Sequence, residues 1–484
     1  MVRLITDTPQ YANDIAEEIR MFLGLIPITA EETQDTTLTI SAVLNAADRT
    51  ATANTVPEGE PITVSYSVDE SDPLDRKRQE KRALKRAVYA LMQRIQPTEM
   101  PWGSLTGIRP TKLLRELCER VGDEEAVRQF SEVFSVRTDK LRLAATINAV
   151  QEPILASVRP DDVDVYIGIP YCKTRCLYCS FGAEIAKKNA IDEYLPYLYR
   201  DIENGARLLK DGGYRVRAVY LGGGTPTVLS AEELDALLTH FENQYGSYGT
   251  ECTVEAGRPD TITKEKLAVL KRHGVDRISI NPQTMSDETL RRIGRAHTAG
   301  QIREAFTLAR EMGFSSINMD LIAGLPGETI ADVERTLSEI KTLKPDNLTV
   351  HTLAIKRSSR LKDQLERYPL PAREDVETMI DMGFRAAREI GLWPYYMYRQ
   401  KYQNGNLENV GYASEGKLCV YNVDMMEETT SILAHGAGAM TKRVFGGENR
   451  VERIPNPKDV PTYGAKLPVL DLAKRKLFLG KETA

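Results

Sequence analysis

Three of the chain's six cysteines fall within eight residues, in Pro170-Tyr-Cys172-Lys-Thr-Arg-Cys176-Leu-Tyr-Cys179-Ser180-Phe181. Thiolates of this kind hold zinc or iron–sulfur clusters. A structural zinc site wants four closed ligands, but no second cysteine pair matches this loop and the nearest histidine along the chain is His240. Three thiolates in one loop suit a [4Fe–4S] cluster instead, with one iron left unligated by protein. Such an iron can take an amine and a carboxylate from outside, and S-adenosylmethionine offers both. A cysteine cluster without a cofactor is the weaker reading, because free thiols usually bury singly. Cys118, Cys252 and Cys419 stand alone and read as such buried small hydrophobes.

A cluster loop needs elements to hold it. From about residue 160, apolar strand-like runs alternate with amphipathic stretches roughly every 30 residues. The strands are DVDVYIGIP, VRAVYLGG, ECTVEA, RISINPQ, SINMDLIAG and NLTVHTL, and helices are expected near 190–210, 230–244, 263–273, 299–312 and 329–343. Six successive βα units imply a parallel sheet with right-handed crossovers. Nothing marks a reversal of strand order, so the expected fold is an α/β, partial (β/α)6 barrel rather than a doubly wound sheet. The cysteines follow strand one. Gly222-Gly-Gly-Thr-Pro-Thr227 ends strand two, Glu255 strand three, Asn281 and Gln283 strand four, and Gly324-Leu-Pro-Gly-Glu328 strand five. These all fall at the rim that carries chemistry in barrels.

The barrel is expected over 156–390, preceded by an α+β domain at 1–155 and followed by a small, substrate-covering region at 391–484. In the first region LTISAVL and PITVSYSV read as short strands, and Leu84, Ala87, Val88, Leu91, Met92 and Ile95 recur at helical spacing. Seven basic residues and one acidic residue lie between 76 and 86. The solvated face of an amphipathic helix is preferred for this stripe; the alternative is a contact for nucleic acid or another anionic partner. Trp102-Gly-Ser-Leu-Thr-Gly-Ile-Arg-Pro-Thr-Lys112 reads as an interdomain loop with a helix starting near Thr111. In the last region Trp393, Tyr395, Tyr396, Tyr398 and Tyr402, with Arg399 and Lys401, suit either a core strand or flat and cationic contacts for a substrate. His297 and His435 read as structural histidines more readily than as axial ligands.

Composition narrows the class. Of 484 residues, 42% are hydrophobic and 27% charged, which excludes wholesale disorder. The 64 basic and 69 acidic side chains give a net charge of −5, which argues against a nucleic-acid or anionic-membrane surface. No apolar run reaches the ~20 residues of a membrane helix. No secretory signal is expected at the N-terminus, and six cysteines are too few for a disulfide scaffold, so a reducing cytoplasm is the expected compartment.

Cys-x3-Cys-x2-Cys after a first strand, with an aromatic before the last cysteine, resembles the radical S-adenosylmethionine (radical SAM) superfamily. Over about 160–440 the chain is most similar to the oxygen-independent coproporphyrinogen III oxidase-like family and its haem-chaperone relatives. The segment 102–112 points to the long, HemZ-type branch of coproporphyrinogen dehydrogenases. The resemblance implies that Cys172, Cys176 and Cys179 ligate the cluster and that Tyr166 lies near the bound cofactor. It places Tyr178 against the adenine, and Gly223, Gly224 and Thr225 against the methionine moiety. Glu255, Gln283, Arg295 and Asp320 fall where the family makes further S-adenosylmethionine contacts. No catalytic residue is assigned beyond these.

The implied chemistry is reductive cleavage of S-adenosylmethionine to a 5′-deoxyadenosyl radical. In the oxidases that radical takes hydrogen from a propionate of coproporphyrinogen III, and loss of CO2 and an electron leaves a vinyl group. The implied partners are a tetrapyrrole and a reductant protein such as flavodoxin or ferredoxin. Alternatives are another radical reaction on a tetrapyrrole, such as haem methylation and ring opening, a haem-binding chaperone, and, last, RNA modification. Three positions depart from the family. A frequent histidine is Gly168 here, the oxidases' fourth cysteine is Phe181, and the chaperones' His-Asn-x-x-Tyr-Trp motif is replaced by Asn406-Leu-Glu-Asn-Val-Gly-Tyr412.

Overall fold

The computed structural model describes residues 1–480 except 25, 58, 73, 181–182, 357, 401–405, 447 and 449, so Phe181, Lys401 and Tyr402 lie outside the described residues. The chain forms two compact units, one of residues 1–145 with 399–407 and one of residues 146–398 with 408–484.

In the first unit, strands Ile28–Thr29, Val2–Thr6, Leu38–Asn45, Thr50–Thr55 and Ile62–Ser65 lie side by side in that order. Helices Ala12–Leu23 and Asp75–Ile95 close its core with Ile15, Ile19, Leu84, Val88 and Leu91. Most of the basic stripe of the second helix meets intramolecular partners. Lys85 Nζ is 3.0 Å from Glu18 Oε1, Arg78 Nη1 3.0 Å from Asp72 and Arg76 Nη2 2.8 Å from Glu70, while Arg82 lies over the Phe134 ring. That is the behaviour of an amphipathic helix face. The helix expected near Thr111 runs Pro110–Val121. Arg399, considered above as a substrate cation, is 3% exposed; its Nη1 donates to Leu105 O at 2.5 Å and its guanidinium lies over the Trp102 ring. It is a structural residue of the first unit.

The second unit is built on one eleven-stranded sheet. Six strands follow in sequence order and pair in parallel: β1 (Asp162–Ile169), β2 (Arg215–Gly223), β3 (Glu251–Glu255), β4 (Arg277–Ser279), β5 (Ser316–Ala323) and β6 (Asn347–Thr352). Helices Lys188–Gly212, Ala231–Tyr245, Lys264–Arg272, Ala299–Glu311 and Ile330–Leu343 occupy the crossovers. Three begin with reciprocal capping pairs, Ser230 with Glu233, Thr298 with Gln301 and Thr329 with Asp332, which satisfy the free N–H groups of the first turn. In β1 Val163, Val165, Ile167 and Ile169 are fully buried on one face, and Asp164 and Gly168 are buried on the other, as in a parallel strand covered on both faces.

The C-terminal stretch extends both edges of the sheet. β7 (Trp393–Tyr398) and β8 (Asn409–Ala413) join antiparallel beside β6. β9 (Ser431–His435) pairs in parallel with β1, and β10 (Met440–Phe445) and β11 (Arg450–Pro455) follow it. Trp393 is 49% exposed under the Arg388 guanidinium and pairs with Ala413, at the N-terminal end of β6. It therefore lies away from the chemical rim. Tyr395 and Tyr396 are buried in the barrel core, as a core strand predicts.

A buried polar knot fixes β9. Asp201 accepts from Lys474 Nζ at 2.8 Å, Tyr463 Oη at 2.7 Å and Gly436 N at 3.1 Å, and lies 3.4 Å from His435 Nδ1. Burial pushes the Asp201 carboxyl up, but Lys474 and His435 outweigh it and hold it below the usual range. His435 also meets Tyr245 Oη at 2.7 Å, so it is structural. Lys474→Met should leave that carboxylate unanswered and cost about 3–5 kcal/mol of stability, read from urea denaturation. A loss under about 1 kcal/mol contradicts the knot's role. Among the described residues no helix is long and apolar enough to cross a membrane.

Candidate functional site

The loop after β1 is short of regular structure and is held by its neighbours. Tyr171–Cys172 pairs with Glu184–Ile185, Leu177 N donates to Ile293 O at 2.9 Å, and Leu361 N donates to Leu177 O at 3.0 Å. Thr174 Oγ1 donates to Gly294 O at 2.9 Å and accepts from Arg258 Nη2 at 3.0 Å. Arg258 and Lys173 in turn pair with Asp260, at 3.2 and 3.4 Å. Cys172, Cys176 and Cys179 sit on this clamped loop, each half-buried and in no disulfide, and Cys179 N donates to Cys176 O at 3.3 Å. No three Cys, His, Asp or Glu side chains among the described residues gather around a single-ion site. Of the other thiols, Cys252 and Cys419 are buried and Cys118 half-buried.

The glycine turn ending β2 backs onto that loop. Gly224 N donates to Ile169 O at 2.7 Å, Thr225 N to Tyr171 O at 2.8 Å, and Thr225 Oγ1 lies 3.5 Å from Cys172 Sγ. Gly223 has φ +105°, and a Cβ at Gly224 would drive into the Tyr171 carbonyl. Both positions therefore need glycine.

Beside the turn, Tyr220 Oη donates to Glu255 Oε1 at 2.6 Å, and Tyr166 stacks on Tyr220 with ring centroids 6.3 Å apart. Asp320, on β5, accepts from Asn318 Nδ2 at 2.7 Å and lies 3.7 Å from His351 Nε2. Burial raises the Asp320 carboxyl, but His351 and Asn318 more than offset this and keep it ionised. Burial pushes Glu255 up to about 7 against the Tyr220 hydrogen bond, with the Asp320 charge adding to the rise. The rim thus pairs one carboxylate with one carboxyl that titrates near neutrality.

A raised carboxyl binds more protons in the folded than in the unfolded chain between its ordinary value and its shifted one. Glu255 therefore stabilises the fold most below about pH 4.5, and this is lost as pH rises toward 7. Glu255→Gln should flatten the fall in urea-denaturation stability between pH 5 and pH 8. An unchanged slope contradicts the assignment.

Gln283 holds the left-handed conformation at φ +67°, fixed by its N–H to Asp320 O at 2.9 Å and by Ile322 N to its own carbonyl at 3.0 Å. Strain of this kind persists where surroundings dictate it, and it gathers at functional sites. The side-chain oxygens of Gln283 and Asn281 are buried without a partner. Arg295 is 5% exposed; Nη2 donates to Gly257 O at 2.8 Å, but Nε and Nη1 have no partner. Tyr178 lies beside Cys176 and Arg295. His297 is buried behind Asp260, 3.7 Å from it. The structure thus places the twelve expected residues on β1–β5 and the loops that follow them, with Tyr166 and Asp320 inside their strands.

Three neighbours escaped the sequence reading. Tyr220 pairs with Tyr166 and shares the face of Gly222, so the period of two in β2 carried its signal. His351 meets Tyr398 Oη at 3.1 Å through Nδ1 and Asp320 through Nε2, and a lone histidine in a strand gives no such sign. Arg258, which clamps the cysteine loop, reads as an ordinary loop cation.

Residues 166–340 match the Radical SAM superfamily. Along 475 residues, 96% of this chain and 93% of the relative, the chain is 37% identical to the oxygen-independent coproporphyrinogen-III oxidase-like protein HemZ of Bacillus subtilis.

The chain belongs to the radical SAM superfamily, in its oxygen-independent coproporphyrinogen III oxidase-like family.

This radical SAM protein is also 31% identical over 294 residues to the heme chaperone HemW of B. subtilis, covering 60% of the chain and 73% of the relative. Its fold matches the coproporphyrinogen III oxidase HemN of Escherichia coli, with a TM-score of 0.53 and 22% identity over 67% of this chain and 73% of that one. Membership brings a [4Fe–4S] cluster and S-adenosylmethionine. The residues at the rim fit both groups. Three cysteines outside any disulfide share one clamped loop, a glycine turn leaves no room for a Cβ, and a buried guanidinium has two donors to give. An unanswered buried cation is costly, and a ligand carboxylate would relieve it.

Proposed function

We propose that this radical SAM oxidoreductase converts propionate side chains of coproporphyrinogen III to vinyl groups without oxygen, as a cytoplasmic step of haem biosynthesis. The observation that carries the reading is the 475-residue similarity to the oxidase-like relative, which runs through both compact units rather than the barrel alone. When bound, S-adenosylmethionine on the cluster supplies a 5′-deoxyadenosyl radical strong enough to take hydrogen from an unactivated carbon.

The chain's own residues bind and orient. Cys172, Cys176 and Cys179 hold the cluster. Gly223, Gly224 and Thr225 let the backbone approach the methionine moiety, and Arg295 answers its carboxylate. Tyr178 lies against the adenine, and Tyr166, Gln283, Glu255 and Asp320 complete the pocket; the carboxylate of Asp320 and the near-neutral carboxyl of Glu255 can accept from hydroxyl or amino groups. Stacked Tyr166, Tyr220 and Tyr421 close the barrel interior beneath and keep water out. On the substrate, a propionate gives a hydrogen atom to that radical, then loses CO2 and passes one electron to an external one-electron acceptor, and the event occurs twice. A reductant protein such as flavodoxin or ferredoxin delivers electrons, and the C-terminal region covers the substrate.

A second reading, haem delivery, is favoured by the similarity to the chaperone. Against it, the segment standing where the chaperone motif is expected is committed to the sheet. Asn409 accepts from Thr352 N at 2.9 Å and donates to Tyr398 O at 3.0 Å. Anaerobic incubation of the cluster-loaded protein with coproporphyrinogen III, reductant and S-adenosylmethionine separates the readings. Vinyl products with CO2 and deoxyadenosine support the proposal. Tight haem binding without deoxyadenosine supports the chaperone and sinks the oxidase, and methyl transfer to the ring points to haem methylation instead.

A further inference from the structure

Around the cysteine loop, Lys173 and Arg258 share the single carboxylate of Asp260, and Arg295 lies buried beside Tyr178. Arg175, Lys356 and Arg360 have no carboxylate partner among the described residues. Arg175, which lies between Cys172 and Cys176, donates from Nη2 to Ser358 O at 3.4 Å. Arg360 Nη2 donates to the Arg175 carbonyl. These are backbone acceptors, and they leave the formal charges unanswered.

The same bonds lock two loops together. Ser358 Oγ donates to Ser180 O at 3.2 Å and Leu361 N to Leu177 O at 3.0 Å, so the segment after β6 lies along the cysteine loop. Arg360 Nη2 and Cys176 Cα both lie within 4 Å of where a Cβ on Gly294 would stand. Lys356 opens this segment in a turn closed by Ser359, whose N and Oγ donate to Lys356 O at 3.1 and 2.8 Å. It is half-buried, and its ammonium is depressed by burial with no neighbouring charge to offset it. A half-buried ammonium gains most from an incoming carboxylate.

We propose that Arg175, Lys356 and Arg360 form a carboxylate-reading rim beside the cluster loop, which binds a substrate carrying several carboxylates and holds one carboxylated arm next to the open iron. This deepens the function proposed above and rests on it for the ring that carries the carboxylates.

The test measures binding of coproporphyrin III, a stable tetracarboxylate, and of its tetramethyl ester to the anaerobic cluster-loaded protein by fluorescence. The wild type should bind the acid at least about tenfold more tightly than the ester, with a salt-sensitive affinity. Lys356→Gln should weaken the acid about tenfold and Arg175→Gln about threefold, leaving the ester unmoved. Lys356→Arg should stay within about twofold of the wild type, with iron and sulfide content unchanged in all three. Equal affinities for acid and ester, or variants without effect on the acid, overturn the rim but leave the tetrapyrrole reading standing. Weakened S-adenosylmethionine binding with coproporphyrin affinity intact also overturns it, because the cations would then serve the cofactor's own carboxylate. Binding of neither porphyrin removes both the rim and the function it rests on.

Discussion

Cys176→Ala should strip the protein of its cluster and end S-adenosylmethionine cleavage, a loss of at least about a thousandfold against a barrier that each 1.4 kcal/mol moves tenfold. The expectation is this severe because no substitute ligand is at hand. Cys252 and Cys419 are both buried, and Cys419 Sγ faces Glu251 at 3.2 Å on β3, at the strand's N-terminal end. Among the described residues no group of three Cys, His, Asp or Glu side chains gathers to take an ion in its place. Cys176 itself is half-buried on a loop that its neighbours hold through backbone bonds, so alanine should leave the fold intact. Iron and sulfide analysis checks the first part and circular dichroism the second. A variant that keeps iron, sulfide and turnover contradicts the ligand assignment.

Arg295→Met should separate binding from stability. The guanidinium is buried with Nε and Nη1 unanswered, and the thioether fills similar space without needing partners. A charged group left so in the ligand-free chain is a liability. Its removal should leave the stability of that chain unchanged within about 1 kcal/mol or raise it, the single hydrogen bond to Gly257 O being the loss. The affinity for S-adenosylmethionine should fall by about two orders of magnitude, as removal of charge-assisted bonds to a desolvated carboxylate does. Equilibrium dialysis with labelled S-adenosylmethionine and a urea titration give the two readings. A variant that unfolds easily but binds normally contradicts the role given to Arg295 and makes it a structural residue.

How much of this was legible in the sequence follows from which interactions are local. The six barrel strands and their helices fall where periodicity placed them, because the strands are buried on both faces and four of the five helices start at a side-chain cap. The strands Val2–Thr6 and Thr50–Thr55 escaped notice; TATANT offers threonine and alanine where an apolar alternation would show. The pairing of β9 with β1 joins residues more than 260 positions apart, and nothing local encodes which edge a strand will take. Arg399 carried a substrate-like signal in sequence, a cation beside aromatics, but its aromatic is Trp102 and its task is internal.

The site divides the same way. The cysteine spacing announces its chemistry because three thiols in one loop have few other uses. Arg295 was legible only through family resemblance, since one arginine in a loop says nothing until its donors are seen unanswered in the interior. The cations at 356 and 360 gave no sign at all, because whether a surface charge is paired depends on the loop folded against it.

The most direct test of the central claim is the anaerobic, cluster-loaded protein reduced with dithionite in the presence of S-adenosylmethionine and coproporphyrinogen III, followed by quantification of 5′-deoxyadenosine and methionine. Three thiolates holding a cluster with one open iron predict both products, in equal amounts and exceeding one per chain. Protein with its full complement of iron and sulfide that forms neither contradicts the account.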